Sequence, residues 1–135
     1  MTNEVFKYAE EYLGLPYVLG GDGETCTDCG MFTMKAYCDA DIPLESRCAD
    51  DQAEQFKSAC QFTTDITQAQ AGDLIFFANT YGSFPEGTIT HVGIYVDDTT
   101  MLHCSCSRGV AYTHDLQTYW MRFFAGIGTV LRPAE

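Results

Sequence analysis

Cys29 stands directly after Asp28 in the run Thr27-Asp-Cys-Gly-Met-Phe32, at a point where a new helix can begin. A thiol in the first turn of a helix feels the positive end of the macrodipole and nearby unpaired N–H groups, and both favour the thiolate. Neighbouring glycines leave space for a substrate backbone to approach. A cysteine at a helix start is also an ordinary packing residue, so this feature alone does not decide. The chain has three histidines, His91, His103 and His114. His91 lies in Thr90-His-Val-Gly-Ile-Tyr-Val96, and His103 follows in Met101-Leu-His-Cys-Ser105. A tight turn at Asp97-Asp-Thr-Thr100 would pair these two runs antiparallel and bring both imidazoles close together on one face. A general base needs a partner that fixes its tautomer and steadies its charge, which His103 can supply to His91. Two satisfied core histidines would show the same pattern. His114 reads as a solvated residue at the start of a last helix.

The elements that must position these residues follow from periodicity. From Asn3 to Leu13 the apolar residues Val5, Phe6, Ala9, Tyr12 and Leu13 fall at helical spacing, with Gly14 as a stop and Pro16 beyond it. Gly20, Gly21 and Gly23 mark a tight loop. Thr27 or Asp28 can cap a helix carrying Cys29, Phe32, Met34, Ala36 and Tyr37. Asp50 or Asp51 can start another through Ala53, Phe56 and Ala59. From Gly72 the character changes to strands: 73–78, 89–96, 101–104 and 110–112, a helix from His114 to Phe124, and a closing strand from Ile127 to Leu131. Helices first and a strand meander after them predict an α+β fold, with N-terminal helices packed on a C-terminal antiparallel sheet.

Composition bounds the rest. A chain of 135 residues fits one domain, residues 1–135, with one core. Seven Lys and Arg against nineteen Asp and Glu give a net charge of −12. That field repels phosphate backbones and anionic headgroups, which argues against nucleic acid and membrane surfaces as partners. No run is long enough to span a bilayer, and no basic segment followed by an apolar stretch opens the chain. As written, the protein starts in the cytosol, where thiols stay reduced. A chain trimmed of its leader would look the same.

The seven cysteines are an odd count, so at least one thiol is unpaired. Cys26 and Cys29 form C-x-x-C, and Cys104 and Cys106 form C-x-C beside His103. Structural zinc is one use of such spacings, although C-x-C fits the usual second half poorly. Another is redox control, in which Cys26 resolves an oxidised Cys29. A third is that Cys26 is a small buried apolar residue. Cys38, Cys48 and Cys60 read as packing or surface residues.

Taken in order, Tyr17-Val-Leu-Gly-Gly21, Thr27 to Phe32, Gly72-Asp-Leu-Ile-Phe-Phe77, His91-Val-Gly-Ile-Tyr95 and Leu102 to Val110 resemble the blocks of the NlpC family of cell-wall cysteine peptidases. Tyr119-Trp120 to Leu131-Arg132 resembles its closing segment. The resemblance implies a papain-like fold and a Cys-His-His triad on Cys29, His91 and His103. It implies stem peptides of peptidoglycan, or muropeptides, as substrate, cut between D-glutamate and a diamino acid, with no cofactor or metal. It places Tyr17 beside the nucleophile and Asp28 and Gly30 at the substrate. In members that need a free N-terminal L-alanine, an aspartate before the cysteine and a serine after it bind that amine. Here Asp28 remains and Gly30 replaces the serine. Leu19 stands where an aromatic residue is common. A related thiol amidase or acyltransferase, an inactive binding module and a zinc-stabilised interaction domain are the alternatives. Phage lysis, dedicated export and recycling of imported muropeptides are the routes by which such a chain would meet its substrate.

Overall fold

The structure is a computed structural model that describes residues 2–82 and 84–129. Three helices come first: α1 (Thr2–Ala9), α2 (Cys29–Asp39) and α3 (Ala49–Ser58). Six strands follow: β1 (Phe62–Thr63), β2 (Leu74–Ala78), β3 (Ile89–Asp97), β4 (Thr100–Ser105), β5 (Gly109–Thr113) and β6 (Phe124–Gly128). They form one sheet in the order β1-β6-β2-β3-β4-β5, and every strand pairing within it is antiparallel. The expected α+β fold is therefore what the chain adopts. β2 to β5 make the expected meander, and β6 returns to the far side of β2.

The period-2 alternation of the strands divides the side chains between two faces. Leu74, Phe76, Val92, Ile94, Leu102 and Cys104 point towards the helices and meet Val5, Phe32, Ala36, Tyr37, Ala53 and Phe56. Ile75, Phe77, Met101 and Ile127 point the other way and meet Leu116, with Trp120, Met121 and Phe123 packed against them. Full burial of side chains such as Phe32 or Leu102, both at 1% exposure or less, is worth roughly 1.5–3 kcal/mol each. The sheet thus has a helical layer on one face and the 114–123 segment on the other. His91 and His103 fall on that second face by the same alternation.

Three elements differ from expectation. The first helix ends at Ala9, and Glu10–Tyr12 tightens to a 3-10 turn before Gly14, whose φ of 91° suits glycine. His114 to Phe124 is not a helix. It makes turns and then a 3-10 turn at Trp120–Phe123. Thr118, Tyr119 and Trp120 are poor helix formers, and Leu116 and Trp120 gain more by lying across the sheet. The Thr118 and Tyr119 carbonyls accept from the Arg122 guanidinium. β6 begins earlier than the expected closing strand, and Val130 and Leu131 lie outside the described residues. Among the described residues no helix is long and apolar enough to cross a membrane.

Candidate active site

Asp28 is the N-cap of α2. Its backbone is extended, at φ −121° and ψ −176°, and its Oδ1 accepts from the Met31 N–H at 2.9 Å. Capping is why the helix starts at Cys29, since the carboxylate satisfies one of the four orphan donors of the first turn. The Cys29 sulfur then meets the middle of β3. It lies 4.0 Å from the Thr90 carbonyl oxygen, and the Val92 N–H donates to it. These are the residues on either side of His91.

His91 is 7% exposed and His103 1%. His91 Nε2 lies 2.8 Å from His103 Nδ1, and His103 Nε2 lies 2.9 Å from the Thr113 hydroxyl on β5. The Trp120 indole stacks on the His91 ring at 4.5 Å between centroids and 15° between planes, and its edge faces His103. Phe77 lies on the ring as well. Two aromatic neighbours and one hydrogen bond leave His91 little rotational freedom. Gly93, also on this face of β3, leaves room for the neighbour strand: a Cβ there would stand 3.0 Å from both the His103 Cβ and the Met101 sulfur.

Burial dominates the electrostatics. It pushes the Cys29 thiol up to about 12, with the Asp28 charge adding to the rise and the Val92 N–H opposing it. It holds His91 well below the usual imidazole range, helped by His103. It lowers His103 to about 4, against a smaller raising effect of the Asp115 carboxylate and with Arg108 lowering it further. Burial thus opposes the helix-start effect that favours the thiolate. Tyr17 is raised by burial first and then by Cys29.

A cleft of about 490 Å³ runs from Cys29 past His91 and His103 to Ser105, Arg108 and Tyr119. A second, of about 500 Å³, runs from Cys29 the other way, past Asp28 and Arg47 to Asp50. Tyr17 lines both, so Cys29 and Tyr17 sit where two arms of one groove meet. Leu19, in the second arm, is 71% exposed. Gly30 presents no side chain to this groove. It is buried, and any Cβ would overlap the Arg47 carbonyl oxygen, so its smallness serves packing of the 46–49 segment on α2.

The seven cysteines are all free thiols. Cys104 is buried and donates to the Thr27 carbonyl at 3.5 Å, while Cys106 lines the first arm. Among the described residues no group of three His, Cys, Asp or Glu side chains is arranged to hold a metal ion. His114 is an exposed residue whose Nδ1 meets the Thr100 hydroxyl, away from the other two histidines in role. Three residues at the groove escaped the sequence reading. Thr113 lies one residue past the strand expected at 110–112, Trp120 sits inside the expected helix, and Arg47 has no local signal at all.

Known proteins resemble this chain in sequence and fold. The chain is 39% identical over 114 residues to a probable endopeptidase of Haemophilus influenzae, a match covering 84% of this chain and 65% of that one. It is 36% identical over 128 residues to the bifunctional muramidase/DL-endopeptidase CwlT of Bacillus subtilis, covering 93% of this chain and 36% of the relative. It thus spans less than two thirds of the length of these relatives. A crystal structure of a Staphylococcus aureus protein, described as similar to lipoprotein, NLP/P60 family, superposes with a TM-score of 0.79 at 31% identity, covering 98% of this chain and 42% of that one. The NlpC/P60 family model matches residues 14–129, and the chain belongs to that family.

Proposed function

We propose that this protein is a cysteine peptidase of peptidoglycan stem peptides, cutting the bond from the γ-carboxyl of D-glutamate to a diamino acid. Cys29 is the nucleophile, His91 the base and then the acid, and His103 the residue that orients His91. The observation that carries the reading is the hydrogen-bonded row His91–His103–Thr113 behind a thiol held against β3. The family and the names of its relatives, endopeptidase and DL-endopeptidase, supply the substrate class.

The row sets the tautomers. For His91 to accept a proton at Nδ1, its Nε2 must already carry one and donate it to His103 Nδ1. His103 is then protonated at Nε2 and donates to the Thr113 oxygen. A neutral His103 is required for this, and burial keeps it neutral at pH 7. Transfer of the thiol proton to His91 makes the sulfur the nucleophile. The sulfur bonds to the carbonyl carbon. The oxyanion forms at the start of α2, where the Cys29 N–H is positioned to donate. His91 then gives the proton to the departing amine, and the C–N bond breaks to leave a thioester. Water, deprotonated by His91, attacks the thioester and the thiol is restored. Holding His91 in that tautomer and orientation at each transfer is the task of His103.

Defined tri- and tetrapeptides with a γ-D-glutamyl–diamino acid bond test the proposal by mass analysis of products. We expect one cleavage, at that bond, and none with Cys29→Ala. Intact peptides in the presence of a reduced, alkylatable Cys29 would overturn the substrate assignment.

A further inference from the structure

The two arms of the groove differ in which half of a substrate they can hold. His91 gives its proton to the departing amine, so the departing half lies on the side of Cys29 where the histidines stand. Both histidines line the first arm, and neither lines the second. The lining of the first arm carries one cation, Arg108, and one acid, Asp115. Both charges lie near enough to His103 to act on it, in opposite directions. They are not spent on each other: the ion pairs among the described residues are Arg47–Asp28 and Lys57–Glu54.

Each charge is carried on a backbone that the fold fixes. Arg108 closes the turn between β4 and β5, where its N–H donates to the Ser105 hydroxyl at 3.3 Å. Gly109 behind it has a φ of 70°, and a Cβ there would stand 2.2 Å from the Leu15 carbonyl oxygen. The Val110 N–H donates to that same oxygen at 3.0 Å. Asp115 is held by its own carbonyl, which accepts from the Tyr119 N–H at 2.9 Å, in the segment that lays Trp120 over His91. The side chains, by contrast, are open. Arg108 is exposed, and its guanidinium has no hydrogen-bond partner among the described residues. Asp115 Oδ1 is buried and has no hydrogen-bond partner. A buried acceptor without a donor costs stability, so this oxygen calls for one. The torsion that turns a carboxylate is soft, which lets the oxygen swing towards a donor in the arm.

The departing half begins with a diamino acid, whose side chain can end in two ways. In lysine it ends in an ammonium alone. In a diaminodicarboxylic acid such as diaminopimelate it ends in an ammonium and a carboxylate on one carbon. A lone ammonium would use Asp115 and leave Arg108 nearby as a repelling charge. The zwitterion uses both, with its carboxylate on the guanidinium fork. We infer that Arg108 and Asp115 together read the zwitterionic end of a diaminodicarboxylic acid, so that this protein cuts before diaminopimelate in preference to lysine. The inference rests on the stem-peptide reading above and deepens it by fixing which diamino acid the departing half begins with.

The test uses three peptides of the form L-alanyl-γ-D-glutamyl-X-D-alanine amide. X is diaminopimelate, lysine, which lacks the distal carboxylate, or aminopimelate, which lacks the distal amine. The terminal amide leaves that distal carboxylate as the only one on the departing half. kcat/KM is measured on the intact chain. We expect diaminopimelate to exceed each of the others by about tenfold or more, the worth of one charge-assisted hydrogen bond. Arg108→Gln should collapse the preference over lysine, and Arg108→Lys, which keeps the charge, should retain part of it. Asp115→Asn should collapse the preference over aminopimelate. An effect of either residue through His103 would slow all three peptides alike and leave the ratios unmoved. Alkylation of Cys29 and the thermal midpoint establish that each variant is folded, and the ratios of the unaltered protein are a test without any variant. Equal rates on the three peptides, or ratios that survive both neutral variants, overturn the inference and leave the peptidase reading standing. Failure of all three to be cut while Cys29 is reduced and alkylatable overturns the peptidase reading and this inference with it.

Discussion

At the residue scale the proposed mechanism needs His103 neutral and aimed. The Thr113 hydroxyl is what holds the far nitrogen of that ring. Thr113→Val keeps the shape and removes the acceptor, so the Nε2–H of His103 loses its partner and the tautomer that serves His91 loses its bias. The expected outcome is a fall in kcat of about tenfold or more with KM little changed, and with Thr113→Ser restoring most of the rate. Steady-state kinetics on a defined stem peptide checks this, and an unchanged kcat in the valine variant would contradict it. Cys29, His91 and His103 were legible in the sequence because their blocks come in a recognisable order. Thr113 was within reach of the same reasoning: continuing the alternation of β5 by one residue puts it across from Met101 and diagonal to His103. Arg47 was not, because its carbonyl meets Gly30 across a loop and nothing local in Ser46-Arg-Cys48 signals it.

At the element scale the strands were readable and the covering segment was not. β2, β3, β4 and β5 are compact apolar runs bounded by turn residues, and their expected spans agree with the observed ones within about two residues. The 114–123 segment contains enough apolar residues to mimic a helix, yet its work is to lay Leu116 and Trp120 over the second face of the sheet. That is a tertiary demand, and periodicity does not record it. β1 is two residues long and exists only because β6 is beside it. The pairing of β3 with β4 gives Gly93 a specific task. Gly93→Ala would press a methyl group against the His103 Cβ and Met101 at 3.0 Å. We expect the fold to survive with a loss of about 1–2 kcal/mol, as for modest overpacking, and activity to fall about tenfold as His103 is displaced. Chemical denaturation together with kcat/KM measures both. Loss of stability with full activity would show that His103 keeps its place without the gap.

At the scale of the whole molecule, the buried histidine pair couples the site to stability. His103 has a folded pKa of about 4 against an ordinary value of 6.5, so between these pH values the unfolded chain binds the proton that the folded chain refuses. Stability is therefore complete above about pH 6.5 and drains away as pH falls towards 4, on the order of 3 kcal/mol from His103 alone. His91 is shifted in the same direction by the same burial. Urea midpoints between pH 7 and pH 4 should fall steeply for the unaltered chain and less steeply for His103→Gln. Parallel slopes would contradict the account. The net charge of −12 adds carboxylates that titrate lower in this range, which is why the comparison with the variant is needed.

The proposed mechanism requires a covalent bond at Cys29, and its capture is the most direct test. The protein is mixed with a γ-D-glutamyl–diamino acid peptide, quenched in acid within the turnover time and mapped by mass spectrometry. The account predicts a thioester on Cys29 equal in mass to the acyl half of the peptide, absent from Cys29→Ala. Cleavage that proceeds with no adduct on Cys29 and survives Cys29→Ala would contradict it.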